Sequence, residues 1–168
     1  MADISNSRLL ETPAGILKQK DACIVIVRTE WNSGIVDELE NGCRQELAEH
    51  HIQDIRVLQV PGAFEISFAI RRYWEFHKYK DDKPAAFIAL GCVLRGETPH
   101  FDYICKAVTE GIMHLNLQLP VPTVFGILTV DTPGQATDRL GGKKGHKGKE
   151  AAITALKMNA LLNSFRNP

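Results

Sequence analysis

Apolar residues fall along the chain in two alternating patterns. Cys23-Ile24-Val25-Ile26-Val27, Ile55 to Val60, Ala85 to Cys92 and Thr123 to Thr129 are short, nearly unbroken apolar runs with the length and β-branched content of buried strands. Between them apolar positions recur at helical spacing, as at Ile35, Leu39, Cys43 and Leu47. The same spacing predicts helices from Phe64 to about His77 (Phe64, Phe68 and Ile70 to Trp74 mostly inward), from Pro99 onward, briefly from Pro133 to Leu140, and from about Glu150 to Asn163. The order βαβαβαβαα implies right-handed crossovers and a four-stranded, mainly parallel sheet covered on both faces, a three-layer αβα sandwich. Residues 1–21 are polar and weakly patterned. They form an N-terminal arm, loose or adding an extra strand to a neighbour's sheet, ahead of a single domain over 22–168.

Composition narrows the function classes. The chain of 168 residues balances 20 basic against 20 acidic side chains, so no global field draws it to nucleic acid or an anionic membrane. Any bound anion must be held locally. Cys23, Cys43, Cys92 and Cys105 lack a Cys-x-x-Cys spacing and are expected as reduced core residues. No apolar run reaches the length of a membrane span, and Met1 to Ser7 lacks the apolar core of a signal peptide, so a cytoplasmic protein is expected.

The segments rich in chemistry all follow strands. In parallel sheets of this kind ligands bind beyond the carboxyl ends of the strands, so Arg28 to Ser33, Pro61 to Glu65 and Arg95 to His100 should share one rim. In the third of these, Thr98 suits an N-cap and Pro99 the first helical position, which puts His100 in the first turn. A helix N-terminus disfavours imidazolium, leaving His100 able to accept a proton near neutral pH. Free N–H groups there, with Gly96 permitting close approach and Thr98 nearby, could hold a phosphate, provided that the Glu97 carboxylate points away. The alternative is a capped helix with a solvated histidine. Trp31, among polar residues, could stack on a flat heterocycle or cover a neighbouring helix or subunit. Glu65 could accept hydrogen bonds from ligand hydroxyls, or stabilise a helix start.

The run Gly141 to Glu150 invites a phosphate-loop reading, but such a loop ending in Gly148-Lys149 needs glycine at Lys143 and Ser or Thr at Glu150. What remains is a flexible basic turn. With Arg139 it could neutralise a phosphate ester or serve as a solvated connector. His50, His51, His77 and His114 have no partners at metal-ligand spacing, and His100 with Asp102 is too sparse for a metal site. Nucleophile-elbow, Cys/His and dinucleotide-binding patterns are missing. The residues therefore point to a planar polar ligand, a phosphate and a histidine base.

Four segments in order, "VPGAFEI" (60–66), "RGETPHFDYI" (95–104), "VFGILT" (124–129) and "QATDRLGGKKGHKGKEAA" (135–152), closely resemble the 6,7-dimethyl-8-ribityllumazine synthase family of riboflavin biosynthesis. The resemblance runs from about Cys23 to Phe165. It implies a flavodoxin-like sandwich, assembled as homopentamers with active sites between adjacent subunits. It also implies condensation of 5-amino-6-(D-ribitylamino)uracil with 3,4-dihydroxy-2-butanone 4-phosphate, with no metal or organic cofactor. By motif position, Trp31 would stack on the pyrimidine beside Asn32, and Ala63, Phe64 and Glu65 would line the ribityl chain. Cys92, Val93 and Leu94 would face the pyrimidine edge, with Phe125 closing the site from a neighbouring subunit. Glu97 and Thr98 would approach the phosphate with Arg139 and Lys147, and His100 would move protons.

Three positions depart from the family pattern: Ser67 where proline is common, Gly134 where an acid often stands, and His146 where asparagine is usual. The compact turn from Gly141 to Lys149 resembles that of members building sixty-subunit icosahedral shells, and association with riboflavin synthase is a further implied partnership. The competing reading is a catalytically inactive flavin- or lumazine-binding shell protein. A generic flavodoxin-like nucleotide-binding domain would explain the alternation but not the four motifs together.

Overall fold

A computed structural model describes residues 7–11 and 22–166. Its elements follow the apolar pattern: β1 (Cys23–Thr29), α1 (Ser33–Glu49), β2 (Ile55–Val60), a 3-10 turn (Ala63–Glu65), α2 (Ile66–His77), β3 (Pro84–Leu94), α3 (His100–Gln118) and β4 (Thr123–Val130). The chain ends with α4 (Pro133–Thr137), a small β5 (Leu140–Gly142) and β6 (Gly145–His146) pair, and α5 (Lys147–Arg166). The four main strands are all parallel in the order β2-β1-β3-β4. The strand order reverses between β1 and β3, where such sheets open a crevice.

Side chains alternate across the sheet and feed two cores. Ile24, Ile26, Ile88 and Leu90 pack with Leu39 and Cys43 of α1 and with Ala152 and Leu156 of α5. Val25, Val27, Phe87 and Ala89 pack on the other face with Ile66 and Ile70 of α2 and Val108 and Ile112 of α3. The layers are therefore α1/α5, sheet, α2/α3, the three-layer sandwich that the sequence predicts with its helices now assigned to faces. At Gly126 a Cβ would lie 2.6 Å from Leu90 Cδ2 and 2.8 Å from the Ala89 carbonyl oxygen, so the missing side chain lets β4 and α5 close on β3.

Four details differ from expectation. The helix expected from Phe64 begins instead as a 3-10 turn, and the inward positions of α2 are Ile66, Ile70, Tyr73 and Trp74. Phe64 and Phe68 lie off that stripe and are 61% and 67% exposed. The Gly/Lys segment is not a loose connector but an antiparallel β5–β6 hairpin, with Gly141 (φ 99°) and Gly145 (φ 79°) in the left-handed region that glycine tolerates. As a result α5 starts at Lys147, and Leu140 belongs to a strand rather than to the preceding helix. At α3, Pro99 takes the N-cap position and no side chain caps the helix, so Thr98 does not act as the cap. The Pro99 carbonyl instead receives the N–H groups of Asp102 and Tyr103.

The proposed N-terminal strand falls on residues outside those described. Within residues 7–11, the Lys157 ammonium donates to the carbonyl oxygens of Arg8, Leu9 and Glu11, tying this segment to α5. All four cysteines are free, and Cys23, Cys43 and Cys92 are buried. Among the described residues no helix is long and apolar enough to cross a membrane.

Candidate active site

The three loaded loops meet as the strand-end rule requires. Trp31 and Asn32 follow β1, Gly62 to Glu65 follow β2, and Cys92 to Leu94 close β3. Together with His100 and Ile104 of α3 they line one cleft of about 640 Å3. Asn32 is a non-glycine residue in left-handed conformation (φ 57°, ψ 43°), a geometry that asparagine tolerates better than most residues. Its amide donates to the Cys92 carbonyl oxygen at 2.9 Å, which ties the first loop to the third across the cleft. The second loop is tied in turn by the Glu30 N–H, which donates to the Val60 carbonyl oxygen at 2.9 Å.

The walls carry distinct chemistries. Trp31 is 73% exposed and Phe64 61% exposed, so two large aromatic faces stand open at the rim. A Cβ on Gly62 would lie 3.1 Å from Glu65 Oε2 and 3.6 Å from Trp31 Cδ1, so that glycine lets carboxylate and indole converge. Burial pushes the Cys92 thiol up to about 11, so it stays neutral and serves as an uncharged wall rather than a nucleophile. His100 is the first residue of α3 and is exposed to the cleft.

Its helix start is braced by Arg95, whose guanidinium contacts Asp102 at 3.1 Å and Asp131 at 2.6 Å. The same guanidinium lies 4.0 Å from the centroid of the Phe101 ring, a cation–π distance. Glu97 and Thr98 are exposed between Arg95 and the helix, beside the cleft rather than among its lining residues. Ile104 and Gly62 were not singled out as site residues in the sequence. Helical spacing offered the signal for Ile104, four positions after His100 on the same face of α3.

The remaining candidates stand elsewhere. Phe125 and Lys147 line a second cleft of about 660 Å3, together with Leu9, Asn116, Met158 and Phe165 among others. Burial, reinforced by Arg139, holds the Lys147 ammonium below its ordinary range against the opposing pull of Glu150. Arg139 is not open to solvent as a free phosphate ligand would be. It is 6% exposed, and its two terminal nitrogens engage Glu150 at 2.7 and 2.6 Å. Nη1 also donates to the Lys144 carbonyl oxygen. One chain thus keeps the histidine cleft and the basic hairpin apart. Among the described residues no cluster of three or more His, Cys, Asp or Glu could hold a metal ion.

The profile of the 6,7-dimethyl-8-ribityllumazine synthase family matches residues 21–163, which spans β1 to β6, all but the end of α5, and every residue lining the first cleft. The chain belongs to this family. Curated lumazine synthases match most of its length. That of Porphyromonas gingivalis is 49% identical over 144 residues, covering 84% of this chain and 86% of its own. That of Parabacteroides distasonis is 47% identical over 137 residues, covering 80% and 82%, and that of Cytophaga hutchinsonii is 48% identical over 137 residues, covering 80% and 83%. The lumazine synthase fold accounts for the four-stranded parallel sheet and for a cleft at its switch point.

Proposed function

We propose that this chain condenses 5-amino-6-(D-ribitylamino)uracil with 3,4-dihydroxy-2-butanone 4-phosphate, releasing 6,7-dimethyl-8-ribityllumazine, phosphate and water. The observation that carries the reading is the first cleft, where an exposed indole, a carboxylate and an imidazole converge from three strand ends. The Trp31 face suits the pyrimidine, with Asn32 beside it. Cys92, Val93 and Leu94 form the wall facing its edge, while Ala63, Phe64 and Glu65 line the path for the ribityl hydroxyls.

The amine and ketone form an imine with loss of water. Phosphate is then eliminated, the enol tautomerises, and the ribityl-bearing nitrogen closes the ring with loss of a second water. Each step moves a proton, and His100, whose residue lines the cleft, carries it in this reading. Holding two substrates in register supplies much of the acceleration.

The phosphate side is read as composite. Phe125 and Lys147 face a different cleft from His100, so a neighbouring copy supplies them, with Arg139 behind Lys147. Glu97 and Thr98 approach the phosphate from the first chain, on the exposed edge beside His100. This division favours the homopentamer with sites between subunits; the compact segment from Gly141 to Lys149 favours the shell-building branch, and association with riboflavin synthase is the partnership that the family resemblance implies. The free thiols favour the cytoplasm as its compartment.

The test is absorbance over time after mixing the two substrates with purified protein, with His100→Ala and Arg139→Ala alongside. Turnover above background that is slowed but not abolished in His100→Ala and weakened in Arg139→Ala is the expected outcome. A folded protein that binds the pyrimidine without turnover would refute the synthase reading. Complete loss of turnover in His100→Ala with binding intact would refute the emphasis on positioning.

A further inference from the structure

His146 has no role in the chemistry above, yet its placement is specific. Its ring lies against the backbone of α1 at Gly42, so closely that a Cβ on that glycine would come within 2.1 Å of ring Cε1. One turn earlier, a Cβ on Gly148 would lie 2.0 Å from the Leu39 carbonyl oxygen, so the start of α5 is pressed onto the same helix. Between these contacts the Gly148 N–H donates to His146 Nδ1 at 3.2 Å, which makes that nitrogen the acceptor and puts the ring proton on Nε2.

Lys147 sits between His146 and Gly148, and its N–H donates to the Arg139 carbonyl oxygen at 2.8 Å. His146 itself pairs with Leu140 in the β5–β6 ladder. Arg139 and Lys147, the cations flanking the hairpin, are therefore joined through the ladder that His146 closes.

We propose that His146 is a positioning residue for the phosphate side of the site, its imidazole latching the β5–β6 hairpin onto α1 and so setting where Lys147 and Arg139 stand. The inference rests on the proposed reading of Lys147 and Arg139 as the phosphate side. The groups around the ring are Glu38 from α1 and Lys149 and Glu150 from α5. Burial, helped by Lys149 and against the opposing pull of Glu38 and Glu150, leaves the imidazole harder to protonate than an ordinary histidine, which keeps Nδ1 an acceptor.

The experiment is steady-state kinetics on the assembled full-length protein, measuring KM for each substrate separately and kcat. The variants are His146→Ala, His146→Asn, Gly42→Ala, the Gly42→Ala/His146→Ala pair and Lys147→Met. His146→Ala should raise KM for the butanone phosphate about 2- to 10-fold, the span of one hydrogen bond's net worth, with KM for the aminouracil unchanged. His146→Asn keeps an acceptor oxygen at the position of Nδ1 and should fall between parent and His146→Ala.

Gly42→Ala evicts the ring and should give the same split, and the pair should be no worse than His146→Ala alone. An unchanged phosphate KM in His146→Ala, or both KM values and kcat moving together, overturns the latch. Additive damage in the pair overturns it too. An unchanged phosphate KM in Lys147→Met instead sinks the assignment of the phosphate side, so the two failures are told apart.

Discussion

Removing the carboxylate of Glu150 would leave the Arg139 guanidinium buried without its counter-charge. Arg139 and Glu150 are each 6% exposed, and they meet through two hydrogen bonds of 2.7 and 2.6 Å. Breaking a buried pair from one side typically costs about 3–5 kcal/mol, because the stranded charge keeps its desolvation penalty. At this chain length each kcal/mol moves Tm by about 2–4 °C, so Glu150→Ala should melt about 6–20 °C below the parent. The remaining bond from Arg139 Nη1 to the Lys144 carbonyl oxygen favours the lower part of that range.

Glu150→Gln keeps an acceptor but not the charge and should fall between the two. Replacing both partners, as Arg139→Met with Glu150→Leu, should recover most of the loss, since an apolar pair of similar volume carries no stranded charge. Thermal unfolding followed by circular dichroism is the assay, run at several fixed protein concentrations because association shifts Tm by mass action. A Glu150→Ala protein melting within about 2 °C of the parent would refute the reasoning, as would a double variant no more stable than the single.

Two further outcomes follow from packing and protonation. Gly126→Ala places a Cβ against the Ala89 carbonyl oxygen, which cannot swing aside as a side chain can, so an overpacking cost of about 1–3 kcal/mol should appear as a lowered Tm. An unchanged Tm would show that β4 yields there. For His146, burial and Lys149 lower the folded-state pKa below 6.5, whereas the unfolded imidazole takes up its proton near that value. The unfolded chain therefore binds more protons as pH falls, and the stability contributed by neutral His146 is present above about pH 6.5 and lost as pH falls through the lowered value. The Tm difference between parent and His146→Asn should shrink or reverse over that interval, and a difference constant from about pH 8 to 5 would contradict it.

Much of this architecture is written in local pattern. The apolar runs gave the strands because β1, β3 and β4 are buried on both faces and the edge strand β2 is half-buried, and the alternation with helices restricted the connections to one hand. That was enough to bring Trp31, Glu65 and His100 to one rim before any contact between them was known. The pattern misplaced Phe64 and Phe68 because it assumed a continuous α-helix from Phe64. The 3-10 turn instead leaves the inward stripe to Ile66, Ile70, Tyr73 and Trp74. The β5–β6 hairpin was legible in principle, since glycines at 141 and 145 bracket two lysines at a spacing suited to a short reversal.

The Arg139–Glu150 pair was harder to read. Its members lie eleven positions apart, and they meet because that hairpin folds back and α5 starts three residues earlier than its periodicity suggested. The same early start puts Lys147 on the second cleft and turns the ring of His146 toward Gly42. A pattern of apolar positions records which face of an element is buried, but it does not record how tightly two backbones approach. Glycine is the residue that carries that information, at Gly42 and Gly148 on the α1–α5 contact. Gly42 was passed over because the histidine that exploits it lies more than a hundred residues away, and Gly148 was weighed only as part of a phosphate loop. A basic turn that looked interchangeable with any solvated connector is therefore held by one imidazole, one buried ion pair and two absent side chains. A substitution at Gly42, remote from any substrate in the sequence, should be felt at the phosphate.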